Sequence, residues 1–211
     1  MALVLTVDAS NPELSVVREA ADMIRDGLVV AYPTDTLYGL AVDPRNAVAV
    51  RRLFELKGRP ETSALTLIAA DAMQARLVGE MTADADRLAA RWWPGPVTIV
   101  VRARPGLAME TLAGGLTVGV RVPDQAVARA LAEAVGFCIT ATSANRSGDT
   151  PASTAAGVGE ALPIVDAILD GGPSRGGPPS TIVDAAQDDV TLIRAGAVPW
   201  DRVLRSLSSG A

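Results

Sequence analysis

The only lysine of the chain, Lys57, opens the segment KGRPETS, which ends at Ser63; the other 18 basic residues are all arginine. A compact ammonium kept in so arginine-biased a sequence suits a place that a planar guanidinium cannot fill. Lys57 and Arg59 lie two residues apart between Gly58 and Pro60, so the two cations can converge on one multivalent anion such as a triphosphate. The same cations also suit the C-terminus of a preceding helix, where such charges gain roughly 0.3 to 1 kcal/mol, and spacing alone leaves both uses open. Neither GxxxxGK[ST] nor GxGxxG ahead of a helix occurs, so a Walker loop and a dinucleotide-binding loop are both excluded.

Three further polar segments follow or interrupt apolar runs. Tyr32 to Leu40, YPTDTLYGL, offers the hydroxyls of Thr34 and Thr36 and the phenol of Tyr38. The same Thr and Asp side chains could serve only to pin a turn on its own backbone. Gly119 to Pro123, GVRVP, places Arg121 inside an apolar strand. Period-two alternation puts it on the face opposite Val120 and Val122, where a guanidinium needs either solvent or a bidentate acceptor such as a carboxylate. Thr140 to Gly148, TATSANRSG, brings Ser143 and Asn145 to a strand end, where they can donate to phosphate or ribose oxygens or simply form a polar loop.

These segments need a scaffold of alternating strands and helices. Met1 to Val7 predicts a first strand. Asn11 is expected to cap a helix with Pro12 at its first position, Leu14, Val17, Ala21 and Ile24 on one face and Gly27 as its stop. Leu28 to Tyr32 predicts a buried strand, and Pro33 to Asp43 a polar turn. The next helix has Pro44 near its start, Val50, Leu53 and Phe54 inward, and Gly58 beyond its end. Leu65 to Ala70 predicts a strand, with Asp71 capping a helical region that passes Leu77 and resumes after a break up to Trp93. Val97 to Arg102, Leu116 to Val122 and Phe137 to Thr142 predict strands, with a helix between the last two, capped by Asp124 and closed by Gly136. A polar loop, Ser143 to Thr154, and a short helix lead to strands around Ile164 to Leu169, Thr181 to Asp184 and Val190 to Arg194. Gly171 to Pro179, GGPSRGGPP, is a loop by composition. The pattern predicts one α/β domain over residues 1–211, with a mixed, twisted sheet, flanking helices and a frayed tail over 200–211.

Composition agrees with that scaffold and removes other chemistries. The 211 residues are 49% hydrophobic and 20% charged, with mean hydropathy +0.27, as in a well-buried globular chain. With one cysteine, Cys138, and no histidine, an intramolecular disulfide, a Cys/His zinc site and imidazole catalysis are all excluded. Cys138 lies in an apolar stretch and reads as a buried strand residue. A net charge of −5 argues against a surface that grips nucleic acid as a whole, although local basic clefts remain open. No apolar run reaches the length of a membrane span and the first residues lack a basic leader, so the expected location is cytoplasmic.

Six motifs in fixed order, YPTDTLYGL, KGRP, WPGPVT (Trp93 to Thr98), VRVP, TSANRSG and PSTIVD (Pro179 to Asp184), closely resemble the YrdC-like family of threonylcarbamoyl-AMP synthases. They span residues 32 to 184, most of the chain, and the length matches the family's short form, which lacks an additional C-terminal domain. The resemblance implies the YrdC-like fold. It also implies a nucleotidyltransferase that converts L-threonine, bicarbonate and ATP to threonylcarbamoyl-adenylate and pyrophosphate, with magnesium brought by ATP and no protein-only metal site. A partner complex would then transfer the threonylcarbamoyl group to adenosine in tRNA, with weak RNA contact a further implication. Residue by residue, Thr36, Arg121 and Ser180 would bind threonine. Lys57, Arg59, Ser63, Thr117, Ser143, Asn145 and Arg194 would bind ATP, with Lys57 and Arg59 catalytic. Some relatives carry His where this chain has Ile68, which leaves that side of the threonine pocket without an assigned polar partner. The competing readings are an RNA-binding module using the same cleft, opposed by the net charge and 3% aromatic content, and a same-fold enzyme acting on another carbamoyl or phosphorylated substrate.

Overall fold

The computed structural model describes residues 2–58 and 63–208. In chain order its elements are β1 (Leu3–Thr6), α1 (Leu14–Arg25), β2 (Val30–Pro33), β3 (Tyr38–Ala41), α2 (Ala47–Lys57), β4 (Thr66–Ile68), α3 (Ala72–Ala75), β5 (Gly79–Glu80), α4 (Ala83–Trp92), β6 (Val97–Ala103), β7 (Thr117–Arg121), α5 (Ala126–Val135), β8 (Ile139–Ser143), α6 (Ala155–Ala161), β9 (Ala167–Asp170), β10 (Thr181–Asp184), β11 (Thr191–Arg194) and α7 (Trp200–Ser208). The expected α/β architecture with a mixed sheet is present. Strand order is β1-β9-β2-β3-β8-β4-β7-β6-β10-β11, with β5 paired to β6 off that path. The sheet mixes parallel pairs such as β4·β7 and β6·β10 with antiparallel ones such as β3·β8 and β6·β7. No helix among the described residues is long and apolar enough to cross a membrane.

Three apolar clusters hold the layers together, and the third leaves one sheet face uncovered. Val17 and Ile24 of α1 and Leu131 of α5 pack with Tyr32 and Leu169 on one side of the β1-to-β8 half. Leu53 and Phe54 of α2 and Val158 of α6 pack with Tyr38 and Leu40 on the other. In the β4-to-β10 half, Leu67, Val120, Ile99 and Val183 face α4 and α7, together with Leu88 and Val203. Alternation sends Thr66, Gly119, Thr98 and Ile182 to the opposite face. That face carries the site.

Local chemistry moves several expected boundaries. Asp8, not Asn11, organises the approach to α1: its Oδ1 accepts from Ser10 N at 2.7 Å and Asn11 N at 2.9 Å. The helix therefore starts after Glu13, which makes no side-chain cap bond. Part of the expected polar turn is strand β3, which returns antiparallel along β2 with Tyr38 opposite Pro33. The hydroxyl of Thr34 makes that return tight, donating to Leu37 O at 2.6 Å and accepting from Leu37 N at 3.2 Å. Asn46 caps α2 by accepting from Val48 N and Ala49 N, and Gln125, not Asp124, caps α5. The break between α3 and α4 holds β5. The chain from Trp200, expected to fray, forms α7 through Ser208 because Val203 is fully buried and Trp92 Nε1 donates to Ser206 Oγ at 3.0 Å.

Cys138 is buried as expected, and its thiol donates to Gln74 O at 3.5 Å. Burial pushes its pKa from 9.0 up to about 12. Alkylating reagent at about pH 8 is expected to leave the native protein unmodified, as mass spectrometry of the intact chain would register. Below pH 9.0 the thiol is protonated in folded and unfolded chains alike. Between 9.0 and about 12 only the unfolded chain releases the proton, so stability falls as pH rises through that window. Cys138→Ala should flatten that decline in urea unfolding measured at successive pH values.

Candidate active site

A cavity of about 430 Å³ lies over the uncovered face. Thr66, Thr98, Ile182 and Ala141 form its floor, and Thr34, Thr36 and Tyr38 one wall. Ser180, Arg194 and Ser143 close other sides. Gly119 is paired with Thr66 on one side and Val100 on the other. A Cβ there would meet the methyl groups of Thr66 and Thr98 at 3.1 and 3.2 Å, so the glycine keeps the floor low.

Arg121, at the end of β7, reaches the cavity from a buried position. Its Nη1 donates to Asp35 Oδ1 at 2.7 Å, with the two side chains only 9% and 8% exposed. The sequence left solvent and a carboxylate open as partners for this guanidinium; the structure supplies a carboxylate of the chain itself. Arg194 is fixed at the other edge by Nη2 donating to Ser180 O at 2.8 Å and to Ser180 Oγ at 3.2 Å. Burial first, and then the positive charge of Arg121, lowers the pKa of Arg194 below its ordinary value. Ser180 Oγ also shares a 2.9 Å hydrogen bond with Thr98 Oγ1. Among the described residues, two guanidinium groups and no carboxylate line this cavity.

Lys57 stands behind the Ser143 end. Helix α2 stops at Gly58, whose φ of +59° favours a residue without a Cβ and leaves Lys57 as the last helical residue. The Lys57 side chain is nearly enclosed. Its Nζ donates to Ser143 O and, at 2.8 Å, to Asn145 O, with Asn145 Oδ1 at 3.5 Å. Asn145 is also buried, and its Nδ2 donates to Arg146 O and Asp149 O at 2.7 and 2.8 Å. Lysine and asparagine thus fold the loop that presents Ser143.

Of the expected site residues, Thr36, Arg121, Ser143, Ser180 and Arg194 line one cavity, and Lys57 and Asn145 adjoin it. Ser63 is next to the lining residue Ala64. Thr117 shares the Gly119 face of β7 but sits two positions further along, opposite Arg102 on β6. Arg59 lies outside the described residues. Ile68 is fully buried in the α1/α5 cluster with Tyr32 and Ile139, so the position is filled by core packing. Thr34, whose hydroxyl the sequence offers, lines the cavity, whereas Asp35, Thr66 and Thr98 are not among the expected site residues. A hydroxyl on one face of an otherwise apolar strand was the available signal for the last two. Nothing in local spacing connects Asp35 with residue 121.

The family model for Sua5, YciO and YrdC proteins, described as telomere recombination, matches residues 22–196. A Bacillus subtilis protein named threonylcarbamoyl-AMP synthase is 36% identical over 200 residues, covering 93% of this chain and 57% of that protein. One of the same name from Thiobacillus denitrificans is 42% identical over 164 residues, covering 77% and 87% respectively. The crystal structure of P. abyssi Sua5 complexed with L-threonine superposes with a TM-score of 0.91 at 34% identity, covering 97% of this chain and 61% of that one. The chain therefore spans a little over half the length of the Bacillus and P. abyssi proteins.

Proposed function

The chain belongs to the Sua5–YciO–YrdC family, and on that premise we propose that it joins L-threonine, bicarbonate and ATP into threonylcarbamoyl-adenylate and pyrophosphate. The observation that carries this reading is the cavity's charge: Arg121 and Arg194 line it and no carboxylate among the described residues does. An amino-acid carboxylate and a polyphosphate complement such a space. Arg121 takes the threonine carboxylate, with Thr36 and Ser180 beside the rest of the amino acid; the threonine bound by the P. abyssi relative supports this choice of substrate. Ser143 and Arg194 serve the nucleotide, with Lys57 behind Ser143. Arg59, Ser63, Thr117 and Asn145 are the further nucleotide residues of this proposal.

The chemistry needs no side-chain nucleophile. The threonine nitrogen adds to the carbon of bicarbonate, water leaves and a carbamate results. A carbamate oxygen then attacks the α-phosphorus of ATP, and the phosphorus–oxygen bond to the leaving pyrophosphate breaks with its electron pair going to pyrophosphate. Fixed guanidinium and hydroxyl groups orient the reactants and balance the charge that builds on the leaving oxygens. Among the described residues no group of three or more His, Cys, Asp or Glu could hold a metal ion. Magnesium in this proposal is carried by phosphate oxygens of ATP, and no step uses a protein-held metal. The product is a mixed anhydride, and a transfer complex that modifies adenosine in tRNA consumes it, which places the reaction in the cytoplasm.

Pyrophosphate release, with ATP, threonine and bicarbonate omitted in turn, tests the reading. Dependence on all three is expected; release without threonine or bicarbonate contradicts it. Gly119→Val would raise the cavity floor between Thr66 and Thr98. It should lower stability by roughly 1 to 3 kcal/mol through overpacking, and increase KM for threonine and for ATP by about tenfold, equivalent to about 1.4 kcal/mol of binding. Initial-rate kinetics would measure this.

A further inference from the structure

We propose that Asp35 is a positioning residue for substrate recognition: its carboxylate, from outside the main cavity, fixes the Arg121 guanidinium in the orientation that receives the amino-acid carboxylate. The inference rests on the proposed threonine site and adds a residue to it. Asp35 does not line the main cavity. It lines a second one of about 380 Å³ that shares Thr34 with the first, so the Asp35–Arg121 pair spans the wall between them. Among the described residues the Arg121 guanidinium makes one hydrogen bond, Nη1 to Asp35 Oδ1, which leaves its remaining donors for a ligand.

The carboxylate is itself anchored. Thr34 Oγ1 accepts from Thr36 N at 3.2 Å, holding the turn around Asp35, and Asp35 Oδ2 lies 3.4 Å from Asp124 N ahead of α5. Charge gives the anchor its purpose. Arg121 and Arg194 are close enough for the charge of one to lower the pKa of the other. Like charges repel, so an untethered Arg121 would turn away from Arg194. Asp35 opposes that motion from behind. It acts through Arg121 and touches neither substrate.

Isothermal calorimetry with L-threonine, combined with initial-rate kinetics, tests the assignment in wild type, Asp35→Asn, Arg121→Gln and the double variant. Asp35→Asn keeps shape and loses charge. It should weaken threonine binding about 30-fold, with KM for ATP and kcat at saturating threonine within about threefold of wild type. In the Arg121→Gln background the same change should cost less than about twofold, because the group it positions is gone. A purely structural role predicts equal loss in both backgrounds and for both substrates. Unchanged or tighter threonine binding in Asp35→Asn overturns the proposal. If Asp35→Asn does not fold, Asp35→Glu retains the charge but displaces the carboxylate; unchanged threonine affinity there overturns the proposal, and a selective loss of about fivefold supports it. Wild-type binding of threonine without pyrophosphate release would contradict the catalytic reading and leave the role of Asp35 standing. A wild-type chain that binds no threonine overturns both.

Discussion

Arg121→Ala should lower kcat/KM for L-threonine by about 30- to 1,000-fold, equivalent to roughly 2 to 4 kcal/mol of lost transition-state stabilisation. The size follows from burial. Arg121 is 7% exposed, so its charge meets a ligand carboxylate with little competing water. Removing it also leaves Asp35 buried without its cation, a loss that costs roughly 3 to 5 kcal/mol of stability when a buried pair is broken from one side. Kinetics should therefore be read well below the variant's melting temperature. The KM for ATP should change much less than that for threonine. Near-normal threonine kinetics would remove Arg121 from the site.

Lys57→Arg should be nearly as damaging as Lys57→Ala. Lys57 is 3% exposed, and its ammonium donates to the carbonyls of Ser143 and Asn145, which flank the fully buried Ala144 in sequence. A forked guanidinium is larger, and its donors diverge in a plane, so it cannot replace the ammonium in that space. Ser143 O keeps the hydrogen bond from Asn145 N at 3.0 Å, whereas Asn145 O loses its charged donor, so either variant should lose about 1 to 3 kcal/mol of stability. Displacement of Ser143 from the cavity edge should reduce pyrophosphate release by at least about tenfold, since misplacement of about 1 Å can cost 100-fold. Thermal melts and initial rates check both effects. A stable, active Lys57→Arg protein would show that the lone lysine has no special place.

Lys57 also illustrates how far the sequence reaches. Its isolation among arginines and the Gly58 helix stop marked the position, while the carbonyls it serves lie 86 and 88 residues away and left no trace in local spacing. Arg121 is similar. Alternation within β7 placed it opposite Val120 and Val122, but whether solvent or a carboxylate met it depended on β7 ending near the turn at Asp35. β3 was hidden because Tyr38–Ala41 is four residues long, contains glycine and follows a turn pinned by one hydroxyl. In sequence Thr66 and Thr98 are members of apolar strands; they become a cavity floor because α4 and α7 cover the opposite face of that half-sheet. Strand identity follows from periodicity, whereas strand order is set by contacts between distant segments.

The most direct test is a crystal structure of the protein with L-threonine and a non-hydrolysable ATP analogue. The threonine carboxylate should lie within hydrogen-bond distance of the Arg121 guanidinium, with Asp35 still bonded behind it and the triphosphate toward Ser143 and Arg194. Threonine bound away from Arg121, or the two ligands in separate cavities, would contradict the account.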